Sequence, residues 1–493
     1  MRARRRPKGM MSRLVGAAAA VALAAGVAAG VAACAHGAPA ANASADASVS
    51  AAVPAVPPTA GPAGAEARAF GGHGRLAFVS RSRIYVLDGS AAGQTASLHA
   101  IPAGKTTTGA TTGATTGTTT GTTAIGKTPG SPAWSPDGRW LAYLVGTPSA
   151  DGAVTAGALW LAGPDGQDAH QVLPKVDGFA WSPTADELAA TSGSGGKLFA
   201  VRPGKPTYPM LEVPGQFDGA PAWSPNGREV AVATVDLTAE GRFAGSAIDL
   251  FVPSEGIVVN SLASSRTDAL IIDGWWASGE GVLAWSDPRD SASLRATGLP
   301  LVSYPLGDAP TATLPSTPAY PSFARPDGAG VTLVTGSGRS ADTITYCTVS
   351  GHCGPARGAL PSPVNLYPAS SQWQGEPDLA FAHCAAQATT ADVTQLSLRA
   401  WYQTCKLWNV GGAGGNALAV TRAGAGVAAP TWSTTDGDLL YVRDNALWLI
   451  PMRRPDGAPS TAPALPVVGR LFAASWPSAN GHTAWRSQFA WHS

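Results

Sequence analysis

Five cysteines, three aspartates in matching turns and 16 tryptophans are the residues of this chain whose types and spacing could carry chemistry. A thiolate beside an imidazole can bind a metal, and Cys353 and Cys384 follow His352 and His383 directly. Their spacings match no zinc arrangement, so no metal is expected. In an exported chain Cys347, Cys353, Cys384 and Cys405 would instead form two disulfides, with three pairings open. Cys347 and Cys353 flank a short Ser350-Gly351 turn. Cys384 ends a strand-like run from Leu379, and Cys405 lies on the expected next strand. The local pairs Cys347–Cys353 and Cys384–Cys405 are therefore favoured.

Asp137, Asp327 and Asp436 have the carboxylates of acid–base catalysts, but they recur at equivalent turns, which points to a structural role. The chain has no Gly-x-Ser-x-Gly elbow, His-Glu-x-x-His pair, phosphate-binding Gly-Lys-Ser/Thr loop or dinucleotide fingerprint. Gly411–Gly415 lacks a strand-to-helix context and reads as a turn. The eight histidines are scattered. No catalytic residue and no cofactor is expected. The periodic tryptophans read as core, leaving Trp401, Trp408 and Trp491 as the candidates for exposed aromatics.

Those tryptophans belong to a repeat. Its clearest copy is Pro132-Ala-Trp134-Ser-Pro-Asp137-Gly138-Arg-Trp-Leu141-Ala-Tyr143. Further copies centre on Trp181, on Trp223 with Gly227, on Trp276, on Trp432 with Asp436-Gly437, and on Trp476 with Asn480-Gly481. In these six the Trp precedes an apolar triplet by seven residues. Phe323 with Asp327-Gly328 is spaced one residue longer, and Trp373 one shorter. Intervals between successive aromatics are 47, 42, 53, 47, 50, 59 and 44 residues. Ser-Pro-Asp-Gly is turn chemistry: Pro presets φ, Asp bonds back to the backbone, and Gly takes the left-handed region. The triplet begins a returning strand, and a third strand such as Leu159-Trp-Leu161 usually follows. Each unit is thus an antiparallel meander that cannot bury both faces alone. Stacking such sheets around an axis solves this, and 40–50 residues is the period of propeller blades.

The string Pro-x-Trp-Ser-Pro-Asp-Gly-x-x-Leu-Ala-Tyr resembles the WD-like repeat of TolB-like β-propellers, over about residues 74–493. The LpqB type of actinobacterial lipoprotein carries a similar propeller with an added N-terminal domain, for which nothing between Cys34 and Gly74 is suited. The resemblance implies an all-β propeller of eight four-stranded blades, or seven if one weak copy is not a blade. Trp476 opens a unit that the chain ends before completing, and Leu76–Val79 and Ile84–Leu87 form a hairpin with no Trp strand before it. One blade shared by both termini is therefore expected to close the ring. Some relatives gate a serine peptidase, for which no α/β segment is expected here.

Residues 1–33 read as a signal peptide: Arg2, Arg4, Arg5, Arg6, Lys8 and Arg13 precede an Ala/Val/Leu/Gly run from Leu14 to Ala33. Val31-Ala-Ala-Cys34 resembles a bacterial lipobox, whose cysteine receives a diacylglycerol thioether. Cys34 is therefore the expected lipidation site, favoured over an uncleaved transmembrane anchor because the run is only weakly apolar. Either reading places the remainder on the extracytoplasmic face of the membrane. Residues 34–73, rich in Ala, Pro, Ser and Gly, read as a flexible tether. A Thr/Gly insert at 102–130 reads as a loop. The high Ala, Gly and Arg content with little Lys suggests a high-GC genome, and the resemblance to the actinobacterial lipoproteins implies a Gram-positive source.

With 13% charged residues and a net charge of +1, the chain lacks the basic surface of a nucleic-acid binder. The resemblance implies a non-catalytic envelope lipoprotein acting as a protein-binding scaffold, accessory to a transport or signalling complex. The alternative is an enzyme or ligand sensor that binds cell-wall glycan or peptide in the central channel.

Overall fold

The computed structural model describes the chain from residue 68 to 493, except 102–126, 289–298, 318–322, 325–329, 336–342, 356–364, 369–378, 385–402, 411–417, 422–425, 452–463, 472–484 and a few shorter stretches. The chain divides into units 1–57 and 58–493, and the first lies outside the described residues. Cys34, the expected signal peptide and nearly all of the expected tether therefore lie outside them as well. Among the described residues no helix is long and apolar enough to cross a membrane.

Those residues form eight antiparallel sheets. The first joins Ser97–Ala100, Arg83–Gly89, Gly74–Ser80 and, from the other end of the chain, Phe489–His492. The second is a meander of Thr128–Trp134, Leu141–Gly146, Gly157–Ala162 and His170–Val176. The third contains Gly178–Trp181, Leu188–Ser192, Lys197–Val201 and Tyr208–Glu212. In the fourth, Val230–Leu237, Phe243–Val252 and Ile257–Ser265 follow an edge broken into Gln216–Phe217 and Ala222–Trp223, which makes five strands instead of the expected four. The fifth runs Asp268–Trp275, Gly281–Pro288, Leu299–Pro305 and Ala312–Thr317. The sixth has Phe323–Ala324, Gly330–Thr335, Thr343–Thr348 and Cys353–Pro355, and the seventh Asn365–Pro368, Leu379–Cys384, Lys406–Val410 and Leu418–Ala419. The eighth consists of Val427–Trp432, Leu439–Arg443, Ala446–Ile450 and Leu465–Val468. Successive meanders of this kind are consistent with a β-propeller.

In the second, third and fifth sheets the second strand is almost wholly buried, as its near-continuous apolar sequence requires. Leu141 to Leu144 and Leu188 to Ala190 are buried, and both faces pack against neighbouring sheets. One apolar cluster joins Phe70, just ahead of the first sheet, and Leu76 and Phe78 within it to Leu439–Val442 of the eighth and Ala380 and Ala382 of the seventh. Two sequence boundaries shift. Phe70, within the expected tether, is fully buried in this cluster, and the expected insert gives way to strand at Thr128. An apolar ring followed by a Gly-Gly turn is enough to anchor this short segment ahead of the first strand.

Candidate functional site

The Ser-Pro-Asp-Gly turn is closed by its own polar groups. Ser135 N–H donates to the Trp140 carbonyl at 2.8 Å, and Gly138 N–H donates to the Ser135 carbonyl at 2.9 Å. Ser135 Oγ donates to Asp137 Oδ1 at 2.6 Å while accepting from Trp140 N–H at 3.0 Å. Gly138 takes φ of 68°, the left-handed region that favours glycine. The turn at Ser224 repeats this with Asn226 in place of the aspartate, and Gly227 there has φ of 69°. Burial works to raise Asp137, but hydrogen bonds from Ser135 and Arg139 outweigh it and hold the carboxyl well below the usual carboxylate range. Arg139 also reaches Asp186 of the third sheet at 3.0 Å. Burial and the nearby Asp137 push Asp186 upward. An aspartate held ionised by its own turn is a cap, not a proton donor. In the eighth sheet Asp438 N–H donates to Ser433 Oγ at 3.0 Å and Gly437 has φ of 69°. Asp327, Gly328 and Asp436 lie outside the described residues.

The tryptophans form a ladder between sheets. Trp181 Nε1–H donates to the Ala133 carbonyl at 3.0 Å, Trp223 to Ala180 at 3.0 Å and Trp275 to Ala222 at 2.9 Å. Trp134 donates to Ala490 at 3.1 Å. Each acceptor is the residue just before the neighbouring sheet's own Trp. The Trp-bearing edges are thus bonded side by side, close enough that a Cβ at Gly178 would lie 2.4 Å from Ala220 Cα.

Cross-strand register defines the repeat position: Trp134 pairs with Leu141, Trp181 with Leu188, Trp223 with Val230 and Trp432 with Leu439. Three expected positions are corrected by it. In the fifth sheet Trp275 pairs with Val282 and makes the ladder bond, whereas Trp276 sits in the serine position of the turn. Trp276 is fully buried and donates to Ser303 Oγ at 2.9 Å. In the sixth sheet Ala324 pairs with Val331, so alanine holds the Trp position and Phe323 precedes it. That removes the apparent extra residue in this copy. In the first sheet Trp491 pairs with Leu76, so Trp491 is the repeat tryptophan and not an off-register aromatic. Trp485, the last residue of the Thr483-Ala-Trp485 triplet expected to open a returning strand, lies in a 3-10 turn. Trp373, Trp401 and Trp476 are outside the described residues, and Trp408 is half-buried on the Lys406–Val410 strand.

Where the eighth sheet meets the first, the pattern changes. Trp491 Nε1–H donates to the His73 carbonyl at 2.7 Å, and His73 Nδ1 lies 2.7 Å from Asp438 Oδ2. On the other side Arg75 bonds Asp88 in its own sheet at 3.3 Å and donates to the Gly138 carbonyl at 3.0 Å.

Cys347 and Cys353 face each other across adjacent strands and are disulfide-bonded, with Cα atoms 4.2 Å apart. Cys405 is also disulfide-bonded. The Cys384 side chain, the other half of the second expected pair, lies outside the described residues. No group of three or more metal-ligating side chains is gathered among the described residues. One feature escaped the sequence reading: Asp177-Gly178, Asp218-Gly219 and Asp273-Gly274 recur just ahead of Trp181, Trp223 and Trp275. All three aspartates are half-buried on neighbouring edges and each already has an interaction partner. The signal was the Asp-Gly pair itself, which reads as an ordinary turn when met singly.

No protein-family model matches the chain, and no curated protein is similar to it. Solved structures resemble it loosely. TolB from Acinetobacter baumannii has 16% identity over 61% of this chain, with a TM-score of 0.32. The acylaminoacyl peptidase of Pyrococcus horikoshii has 10% identity over 69% at 0.41, and Porphyromonas gingivalis dipeptidyl peptidase 4 has 8% over 68% at 0.44. The chain spans 64%, 52% and 51% of those proteins in turn. At these values the likeness carries no functional inference.

Proposed function

We propose that this chain is a non-catalytic, lipid-anchored protein of the extracytoplasmic membrane face, whose sheets close into an eight-bladed TolB-like propeller that serves as a protein-binding scaffold. The observation that carries the closed ring is the shared first sheet. Phe489–His492 completes it, and Trp134 bonds the Ala490 carbonyl as the other tryptophans bond their neighbours. In such a ring the Trp-bearing edges line a central channel and the fourth strands face outward. The scaffold role is supported by the engagement of the polar groups that could do chemistry. Asp137 is a turn cap, the Asp-Gly aspartates are partnered, and Cys347 is bonded to Cys353. Lipidation at Cys34 is supported by the Val31-Ala-Ala-Cys34 sequence behind a basic, apolar leader.

The test is capture of the membrane-extracted protein after cross-linking in cells, with a Cys34→Ala variant in parallel. A recurrent envelope protein partner is expected with the native chain, and release of the variant from the membrane fraction. No partner, together with saturable binding of a cell-wall glycan fragment, would overturn the scaffold reading in favour of a ligand sensor or enzyme.

A further inference from the structure

A strand at the edge of a sheet offers unpaired N–H and C=O groups, and proteins blunt such edges by shortness, charge or proline. Seven of the eight fourth strands described here carry at least one of these devices. Ser97–Ala100, Cys353–Pro355 and Leu418–Ala419 have four, three and two residues. His170–Val176 contains Pro174 and Lys175, Tyr208–Glu212 contains Pro209 and Glu212, Ala312–Thr317 contains Pro315, and Leu465–Val468 contains Pro466.

Ile257–Ser265 is the exception. It has nine residues, about 30 Å of strand, with neither charge nor proline. It pairs on one side only, with Phe243–Val252. Ile257, Val258 and Val259 are 47%, 44% and 44% exposed, three consecutive apolar side chains on a strand that buries none of its residues. Two register shifts against Phe243–Val252 twist the strand but add no charge to it.

We infer that this edge is a self-association surface, through which two copies of the chain pair antiparallel along Ile257–Ser265. Charge at its two ends selects that occupant. Glu255 precedes the strand and Arg266 follows it; both are exposed and neither takes part in an ion pair among the described residues. Antiparallel pairing about a two-fold axis brings the Glu255 end of each copy beside the Arg266 end of the other, whereas parallel pairing would set like charges together. The uncharged middle then places the Ile257–Val259 step of one copy against the Leu262–Ser265 half of its partner. A net charge of +1 leaves no general repulsion between copies. Strand pairing of this length lies at the small end of specific interfaces, so the dimer forms with roughly micromolar affinity.

Sedimentation of the full chain in density-matched mild detergent, from about 1 to 100 µM, tests this. A concentration-dependent monomer–dimer equilibrium is expected. Val258→Lys should leave the chain monomeric over that range. Arg266→Glu should weaken the dimer about tenfold, and Glu255→Arg combined with Arg266→Glu should restore it to within about threefold. Both positions are exposed, so unchanged thermal melts confirm that each variant folds. In the dimer, amides of Ile257–Ser265 should exchange more slowly as concentration rises. A single monomeric species throughout overturns the inference. So does a dimer indifferent to Val258→Lys, a double variant no better than Arg266→Glu alone, or an edge that protects its amides only when an unrelated peptide is added.

Discussion

Trp134 and Ala490 are 356 residues apart in sequence, yet the indole N–H of the first donates to the carbonyl of the second at 3.1 Å. The bond repeats, between a sheet from the start of the chain and a strand from its end, the contact that joins consecutive sheets elsewhere. Replacing Trp134 by Phe keeps most of the packing but leaves the half-buried Ala490 carbonyl without this donor. The cost should be about 1–3 kcal/mol, combining a lost hydrogen bond with an unsatisfied acceptor. Trp181→Phe should cost the same. Trp432 is more deeply buried than either, but its Nε1 has no hydrogen-bond partner among the described residues, so the hydrogen-bond part of the cost, about 1 kcal/mol, should be missing in Trp432→Phe. Urea unfolding of the three variants checks the order, and equal losses at all three would show that packing alone sets the cost.

The repeat was legible because its turn is local. Trp, Pro, Asp, Gly and the apolar triplet lie within ten residues and identify themselves by spacing. Errors arose where that locality fails. Trp491 has its triplet, Leu76–Phe78, at the opposite end of the chain, so no spacing along the sequence could pair them. Trp275 and Trp276 are adjacent, and only cross-strand register shows that the first holds the ladder position and the second fills a serine's place. In the sixth sheet the position is held by Ala324, with the aromatic Phe323 one residue ahead of it. The exposed edge at Ile257–Ser265 was invisible for a different reason. Exposure of a β-branched run is set by what stacks beside it, not by its own residues.

Gly138 and Gly204 separate two effects of a left-handed glycine. Both have φ near 70°, but a Cβ at Gly138 would lie 2.8 Å from the His492 ring, while one at Gly204 would meet nothing within 4 Å. Gly204→Ala should cost about 1 kcal/mol, the conformational penalty alone. Gly138→Ala should cost more, because His492 must also give way and loosen its contact with the Pro136 carbonyl. Thermal melts that rank the two the other way would rule out this account of the sheet junction.

Asp88 supplies a pH dependence with a definite sign. Burial acts to raise its pKa, but hydrogen bonds from Ser90 and the charge of Arg75 prevail, and the folded value lies below the ordinary one. A depressed carboxylate stabilises the fold above its unfolded pKa, about 3.9, and that stabilisation is lost as pH falls through the folded value. Stability should therefore fall as acid is added below about pH 4, and part of that slope should vanish in Asp88→Asn. Equilibrium unfolding of both proteins at several acidic pH values provides the check. An unchanged slope would mean that Arg75 holds the Gly138 carbonyl without help from Asp88.

The strand Phe489–His492 makes the sharpest claim on the fold. It pairs with Arg75–Phe78, carries the Ala490 carbonyl to Trp134, and sets Trp491 against the His73 carbonyl. A chain ending at Gln488 would leave Phe78 and Leu76 on an open edge and the Trp134 indole without its acceptor. It would also loosen His73, whose ring reaches Asp438 of the eighth sheet. Three junctions would be weakened at once, so the loss should exceed any single substitution above, on the order of 5 kcal/mol or more. Unfolding should become broad, with the residues before Ser80 cut first by limited proteolysis. A truncated chain that melts as sharply as the intact one, within a few degrees, would show that the sheets hold together without a strand from the end of the chain.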